Sequence, residues 1–290
     1  MTTLFELQNL RCSYDKDYKE GQSKVVLEVN NLVIPKGKII FIVGESGIGK
    51  STILETLGMM NKTIVPGDNV VFKFHGDNGE IIDLKEMWAK RNNLLSNFRL
   101  KNYSFIFQST NLMKNFTAYE NIAFTRMLQG FSRFSSFQRT KKILEDLGLE
   151  HIDQQRMSQE LSGGQQQRLA FARAIVPDFT VLFGDEPTGN LDAENAVRVM
   201  DILTRKLNDH VDASAIIVSH DMHLAVTFAD VIIKIRKCIR PKMQIDDEDI
   251  AYGMLDESCV YVPVSEAKDE WTNGNQKYLS GEFETFLRVK

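Results

Sequence analysis

Short, continuously apolar runs separated by polar, glycine-containing turns set the organisation of the chain. Ile39-Ile40-Phe41-Ile42-Val43, Tyr103-Ser104-Phe105-Ile106-Phe107, Thr180-Val181-Leu182-Phe183-Gly184, Ala215-Ile216-Ile217-Val218 and Val231-Ile232-Ile233-Lys234-Ile235 have the length and composition of buried strands. Between them run helical patterns: Ile53, Leu54, Leu57 and Met60; Leu169, Ala172 and Val176; Ala196, Met200, Leu203 and Leu207. Strands alternating with helices in this way predict an α/β fold with a parallel sheet. The first 35 residues differ. Residues 4–12 alternate as a strand, residues 15–24 read as a hairpin loop, and residues 25–34 read as the partner strand. Two further short strands are expected around the Asp77-Asn78-Gly79 turn, followed by a helical region through Trp88 and Leu95. Residues 118–149 read as helices with a break near residues 130–135 and a stop at Gly148. Phe116, Phe124, Phe131, Phe134 and Phe137 make this stretch unusually aromatic. It is either the core of a small helical subdomain or a groove for a partner helix, with Phe131, Phe134 and Phe137 the more exposed members.

The candidate chemistry begins where the strand at residues 39–43 ends. Gly44-Glu45-Ser46-Gly47-Ile48-Gly49-Lys50-Ser51-Thr52 places a G-x-x-x-x-G-K-S loop between a strand and a helix, the context a P-loop requires and a chance glycine turn lacks. Its glycines let the backbone curl around phosphate oxygens, and the helix adds the positive end of its dipole. Lys50 is expected on the β- and γ-phosphates and the Ser51 hydroxyl on Mg²⁺, which implies a bound nucleoside triphosphate. The strand at residues 180–184 delivers Asp185 and Glu186 at its carboxyl end. Asp185 is expected to hold Mg²⁺ through water, and Glu186 to act as general base beside the γ-phosphate. His220, at the end of the strand at residues 215–218, is placed to bond the γ-phosphate or the attacking water. Gln108, just past another strand, is a solvated loop residue or a ligand of Mg²⁺ or of that water. Leu161-Ser162-Gly163-Gly164-Gln165 opens a helix with Ser162 as N-cap, a second anion site. Tyr14 is a strand-end surface tyrosine or a platform for an adenine ring.

Composition narrows the setting. The 290 residues carry a formal net charge of -4, which gives no electrostatic footprint for nucleic acid. Cys12, Cys238 and Cys259 are scattered, with no C-x-x-C pair, so neither a disulfide framework nor a zinc site is indicated. No signal peptide is expected, and no apolar run approaches the ~18–20 residues needed to cross a bilayer. Residues 236–290 read as a small appended extension with an acidic run at residues 245–250, a strand at residues 259–264 and a turn at residues 272–275.

Together these motifs resemble those of the ATP-binding cassette (ABC) ATPases, over roughly residues 4–235 and in the family's order. Residues 44–52 match Walker A, Gln108 the Q-loop, Leu161 to Gln165 the LSGGQ signature and Asp185-Glu186 Walker B. Leu191-Asp192 match the D-loop and His220 the switch histidine. Phe107-Gln108, Asn111-Leu112, residues 117–121 and Gly189-Asn190-Leu191-Asp192 are similar to the branch of lipoprotein-releasing, macrolide-exporting and cell-division ATPases. Two departures stand out: the tail after Arg236 is longer than that branch usually has, and Ser158 stands where many relatives have proline.

The resemblance implies a P-loop NTPase (RecA-like) core with an N-terminal antiparallel β subdomain. The nucleotide-binding domain would span residues 1–235, with a helical subdomain inserted at about 109–160, and the extension residues 236–290. The implied activity is hydrolysis of ATP, with Glu186, His220 and Gln108 catalytic and Ser51, Gln108 and Asp185 around Mg²⁺. Tyr14 would stack on adenine. The implied assembly is a head-to-tail homodimer in which each ATP is held by residues 44–52 of one subunit and by Ser162 and Gly164 of the other, with Gly163, Gln165 and Asp192 also among the nucleotide-binding residues. The implied partner is an integral membrane subunit, with this chain on the cytoplasmic face of the membrane. ABC proteins that act on ribosomes or DNA usually carry two cassettes or a coiled-coil insertion; this chain has one cassette and no heptads.

Overall fold

A computed structural model describes residues 2–15, 23–67, 69–89, 92–210, 212–240 and 250–288. Most of the expected hairpin loop, and residues 245–249 of the acidic run, lie outside the described residues. The chain forms two compact units, Met1–Leu95 with Val218–Lys290, and Ser96–Ile217.

The first unit opens with β1 (Thr3–Cys12) and β2 (Leu27–Pro35), paired antiparallel. Alternation buries Phe5 and Leu7 in the first half of β1 and Leu10 and Cys12 in the second, its phase changing around Asn9, which has φ 52°. All five residues of β3 (Ile39–Val43) are buried, as the unbroken apolar run requires. α1 (Lys50–Leu57) buries Ile53, Leu54 and Leu57. It is shorter than the pattern predicted, because Met59 takes φ 52° and turns the chain out of the helix before Met60. β4 (Val71–His75) and β5 (Ile81–Asp83) flank the Asp77–Gly79 turn as expected, and α2 (Leu84–Ala89) follows; most of the next helix, α3 (Asn92–Asn102), belongs to the second unit.

The second unit contains β6 (Tyr103–Ile106), parallel to the later β7 (Val181–Asp185). Between these strands lie α4 (Ala118–Leu128), α5 (Arg133–Asp146) and α6 (Gly163–Ile175). Thr117 and Glu120 form a capping box at the start of α4, and Ser132 caps α5. The break between the two helices passes through Gly130 at φ 93°, a conformation glycine adopts without strain. Phe131 and Phe134 are exposed, as the pattern suggested. Phe137 is half-buried instead, because its ring packs 5.9 Å from Tyr119 and under Arg133. α7 (Ala193–Asp209) buries Ala196, Met200, Leu203 and Leu207, and β8 (Ser214–Val218) follows.

Back in the first unit, α8 (Met222–Phe228) leads into β9 (Val231–Lys234), which runs parallel to β3. The residues from Arg236 onward add strands to both sheets of this unit. β10 (Arg236–Arg240) pairs antiparallel with β11 (Ile250–Leu255), which lies parallel to β2, so a six-stranded sheet runs β10-β11-β2-β1-β4-β5. β12 (Val260–Pro263) pairs antiparallel with β9, and β13 (Glu270–Thr272) and β14 (Lys277–Leu279) form the hairpin announced by the turn at residues 272–275. The last described element is α9 (Ser280–Arg288), a helix absent from the expectations above. Its Phe283 is fully buried against Trp271, with ring centroids 5.3 Å apart.

Candidate functional site

In the first unit the loop at residues 44–49 joins β3 to α1, and Gly44, Gly47 and Gly49 all have positive φ (154°, 76° and 107°). A side chain at Gly47 or Gly49 would be strained there, which explains the spacing of the motif. The buried Lys50 ammonium lies within the loop, donating to the carbonyls of Gly44 (3.0 Å) and Glu45 (2.7 Å). Ser46, Gly47 and Ser51 are exposed, while Ile48, Gly49 and Thr52 are buried. Tyr14 is pinned by its hydroxyl, which lies 3.1 Å from Thr52 Oγ1 and donates to Glu55 Oε2 at 3.1 Å. Burial of that end raises its pKa, yet the residue remains 52% exposed. A ring fixed at one edge and open elsewhere is suited to stacking. His220 is exposed immediately before Asp221, whose carboxylate caps α8 through the amide of Leu224 at 3.0 Å.

In the second unit Asp185 is the last residue of β7 and Glu186 is the first beyond it. Glu186 has φ 51°, a left-handed conformation rarely adopted by non-glycine residues and concentrated at functional sites. The turn is held by Gly189 N donating to Glu186 O (3.2 Å) and by Gln167 Nε2 donating to Pro187 O (3.1 Å). Gln108 is exposed two residues past β6. Asp192 caps α7, accepting from Asn195 N at 2.9 Å, and those bonds from Asn195 lower its pKa.

The signature forms the start of α6. Ser162 Oγ accepts from Gln165 N (3.4 Å), and Gln165 Oε1 accepts from Ser162 N (3.0 Å), a reciprocal capping box. A Cβ added at Gly163 or Gly164 would meet nothing within 4 Å. Nothing among the described residues of this chain occupies the room these two glycines leave beside the positive end of α6.

Residues given no structural role by the sequence alone hold these loops in place. Arg173, on α6, donates to Thr110 O (2.8 Å) and Asn111 O (2.6 Å), tying the signature helix to the loop after Gln108; burial lowers its pKa. Asn121 is fully buried and bonds the backbone at Met113, Phe116 and Thr117. Ser158 donates to Met113 O at 3.0 Å, a bond that proline at this position has no group to make. Arg173 and Ser158 act across separations that spacing alone does not reveal.

Comparison with known proteins agrees with these motifs. The sequence profile described as "ABC transporter" matches residues 27–189. The lipoprotein-releasing system ATP-binding protein LolD of Pseudoalteromonas translucida is 36% identical over 212 residues, covering 73% of this chain and 85% of that protein. LolD of Colwellia psychrerythraea is 31% identical over 269 residues, covering 92% of this chain and 97% of the relative, so the similarity reaches into the segment after Arg236. The macrolide export ATP-binding/permease protein MacB of Campylobacter fetus is 38% identical over 233 residues; the match covers 80% of this chain but 33% of MacB. Among solved structures, the dimeric ATP-binding cassette MJ0796, in a post-hydrolysis state bound to ADP and Pi, superimposes with a TM-score of 0.64. It is 28% identical and covers 80% of this chain and 94% of its own. The chain belongs to the ABC transporter family, as one of its ATP-binding, ATP-hydrolysing subunits.

Proposed function

We propose that two copies of this chain close head to tail around two ATP molecules and that this closure drives a conformational change in an integral membrane partner, in export, lipoprotein release or force transmission. The observation that carries the reading is the capped, uncovered start of α6, where Ser162 and the two open glycines would form an anion site with no occupant among the described residues of its own chain. In a symmetric dimer, each such site would meet the γ-phosphate held by the other copy's P-loop, with the partner's Asp192 nearby. ATP then acts as an adhesive between the subunits.

Within each site, Tyr14 would stack on adenine while the backbone of residues 44–52 wraps the phosphates. Lys50 would exchange its bonds to Gly44 O and Glu45 O for the β- and γ-phosphate oxygens. By their chemistry the Ser51 hydroxyl, the Gln108 carboxamide and the Asp185 carboxylate would be the oxygen donors that hold Mg²⁺, which when bound would supply charge neutralisation at the phosphates. Glu186 takes a proton from the attacking water as its oxygen bonds to the γ-phosphorus. The bond to the bridging oxygen breaks and ADP leaves with the electron pair. His220 senses the γ-phosphate. Once the phosphate is gone, the contact with the signature is lost and the dimer opens.

The membrane partner would dock on the helical region at about residues 109–160 and on the neighbouring α3. Leu100, Leu128 and Phe131 line a cavity of about 380 Å³ there beside the polar Lys101, Gln129 and Asp178, with Phe134 exposed close by in sequence. No helix among the described residues is long and apolar enough to cross a membrane, so attachment to the cytoplasmic face would come through this surface. The test is to purify tagged Glu186→Gln from membranes with ATP present and identify what remains bound. A polytopic membrane protein in stoichiometric yield supports the reading. Recovery of a dimer alone, or of ribosomes or DNA, refutes it.

A further inference from the structure

The P-loop rests on a floor made partly by the segment after Arg236. Ideal Cβ positions built at Gly44 and Gly49 lie 3.4 Å from Ile235 and Leu27, so these two side chains support the loop from below. The third part of the floor is Gly253 of β11. A Cβ at Gly253 would fall 2.2 Å from the carbonyl oxygen of Ile48, inside the P-loop, as well as 2.8 Å from Ile235 Cγ2 and 2.9 Å from Leu27 Cδ1. Both side chains are themselves buried beneath the loop, so neither has open space to yield into. The carbonyl moves only if the loop moves, and β11 itself is held by ladders on both edges, antiparallel to β10 and parallel to β2. Gly253 N also donates to Val26 O at 2.9 Å, which fixes the strand at this residue.

Directly across the ladder from Gly253 stands Lys237, whose ammonium pairs with Glu45 Oε2 at 2.8 Å. One cross-strand pair therefore touches the P-loop at two points. The peptide joining Ile48 to Gly49 is planar and trans, so its carbonyl and its N–H point in opposite directions. A carbonyl directed at β11 sends the Gly49 N–H to the side of the loop away from β11.

We propose that Gly253 is a positioning residue for nucleotide binding, and that the β10–β11 hairpin sets the P-loop by holding the Ile48–Gly49 peptide in register. This rests on the reading of residues 44–52 as the phosphate-binding loop. Pushing the Ile48 carbonyl upward rotates the Gly49 amide, and a charge-assisted bond to phosphate is lost. The ADP dissociation constant of full-length Gly253→Ala is expected to rise roughly 10–100-fold, the range for one such bond. Gly281→Ala, where the added Cβ meets nothing within 4 Å, is expected to bind ADP as the wild type does.

Two measurements decide it. The first is calorimetric ADP affinity of both variants beside their melting midpoints without nucleotide. A folded Gly253→Ala protein with weakened binding supports the proposal; unchanged affinity overturns it. The second needs no variant: amide hydrogen exchange of the wild type with and without ADP. Slowed exchange in both residues 44–52 and residues 250–255 supports the coupling. Protection of residues 44–52 alone overturns the proposal while leaving the P-loop reading intact. No protection of residues 44–52 overturns both.

Discussion

Ser162 has two jobs in the proposed mechanism, and a single substitution separates them. Its hydroxyl has one donor and two acceptor positions. It accepts from Gln165 N as the cap of α6, leaving its own proton available for a phosphate oxygen of the opposing subunit. Ser162→Asp keeps the cap, since aspartate ranks with serine at this position and its charge suits the positive end of the helix. It also sets a carboxylate against the γ-phosphate. Two unit charges 4 Å apart near a protein surface repel by about 4 kcal/mol, roughly a thousandfold in affinity, and the symmetric dimer contains two such encounters. Ser162→Ala instead loses about 1 kcal/mol of cap and the donor together, whereas Ser162→Thr keeps both.

The two properties therefore rank the variants differently. Melting of the nucleotide-free protein is expected to follow Asp and Ser, then Thr, then Ala. ATP-dependent dimerisation is expected to follow Ser and Thr, then Ala, then Asp. Sedimentation velocity in the Glu186→Gln background, with ATP present, measures the second order beside thermal melts for the first. A Ser162→Asp protein that dimerises as tightly as its background refutes the assignment of Ser162 to a phosphate site in trans.

Four further outcomes are expected. Lys50→Ala removes the only side-chain cation within the P-loop motif, and calorimetry should find tight ATP binding abolished; unchanged affinity counts against the loop assignment. Gln167→Ala breaks the bond to Pro187 O that holds the Glu186 turn, so steady-state kinetics should show a turnover number roughly tenfold lower with ATP affinity unchanged. Burial, with Arg139 close by, pulls the Lys206 pKa down to about 8, against about 10.4 in an unfolded chain. Between these values the unfolded chain binds the extra proton, so stability rises as pH increases from about 8 to 10; denaturant melts of Lys206→Met should lack that rise and show higher stability at pH 7. Trp271→Ala, at a fully buried ring stacked on Phe283, should cost about 3–5 kcal/mol in the same assay.

Much of this architecture was legible because the signals are local. The glycines of the P-loop, Ser162 with Gln165, and the acidic pair after an apolar strand each act within a few residues of themselves. The conformations they require, positive φ at Gly47 and Gly49 and a capping box at α6, follow from the residue types. What stayed hidden depends on partners far away in sequence. Arg173 bonds a carbonyl 63 positions earlier, and Ser158 one 45 positions earlier. Gly253 reads as an ordinary strand glycine until Ile48 is found against it. α9 was legible in principle: Phe283, Phe286 and Leu287 have helical spacing, but the neighbouring turn and short strands drew the reading toward a hairpin. The left-handed backbone of Glu186 had no sequence signal, since glutamate ordinarily avoids that region.

The residues missed by spacing explain how one helix can serve both binding and hydrolysis. α6 begins at the cap formed by Ser162, the anion site of the proposed mechanism. One turn along, Gln167 holds the Pro187 carbonyl and with it the strained turn at Glu186. Two turns further, Arg173 holds the carbonyls of Thr110 and Asn111, just beyond Gln108. A rigid helix transmits displacement along its axis with little loss, because its own hydrogen bonds resist bending. In the proposed mechanism, engagement of the first turn by a phosphate from another subunit would bear on Glu186 and on the loop after Gln108 through two side-chain contacts. Release of that phosphate would then free both at once. Coupling of this kind needs no movement within the strands, only a two-position helix whose N-terminus is either occupied or open.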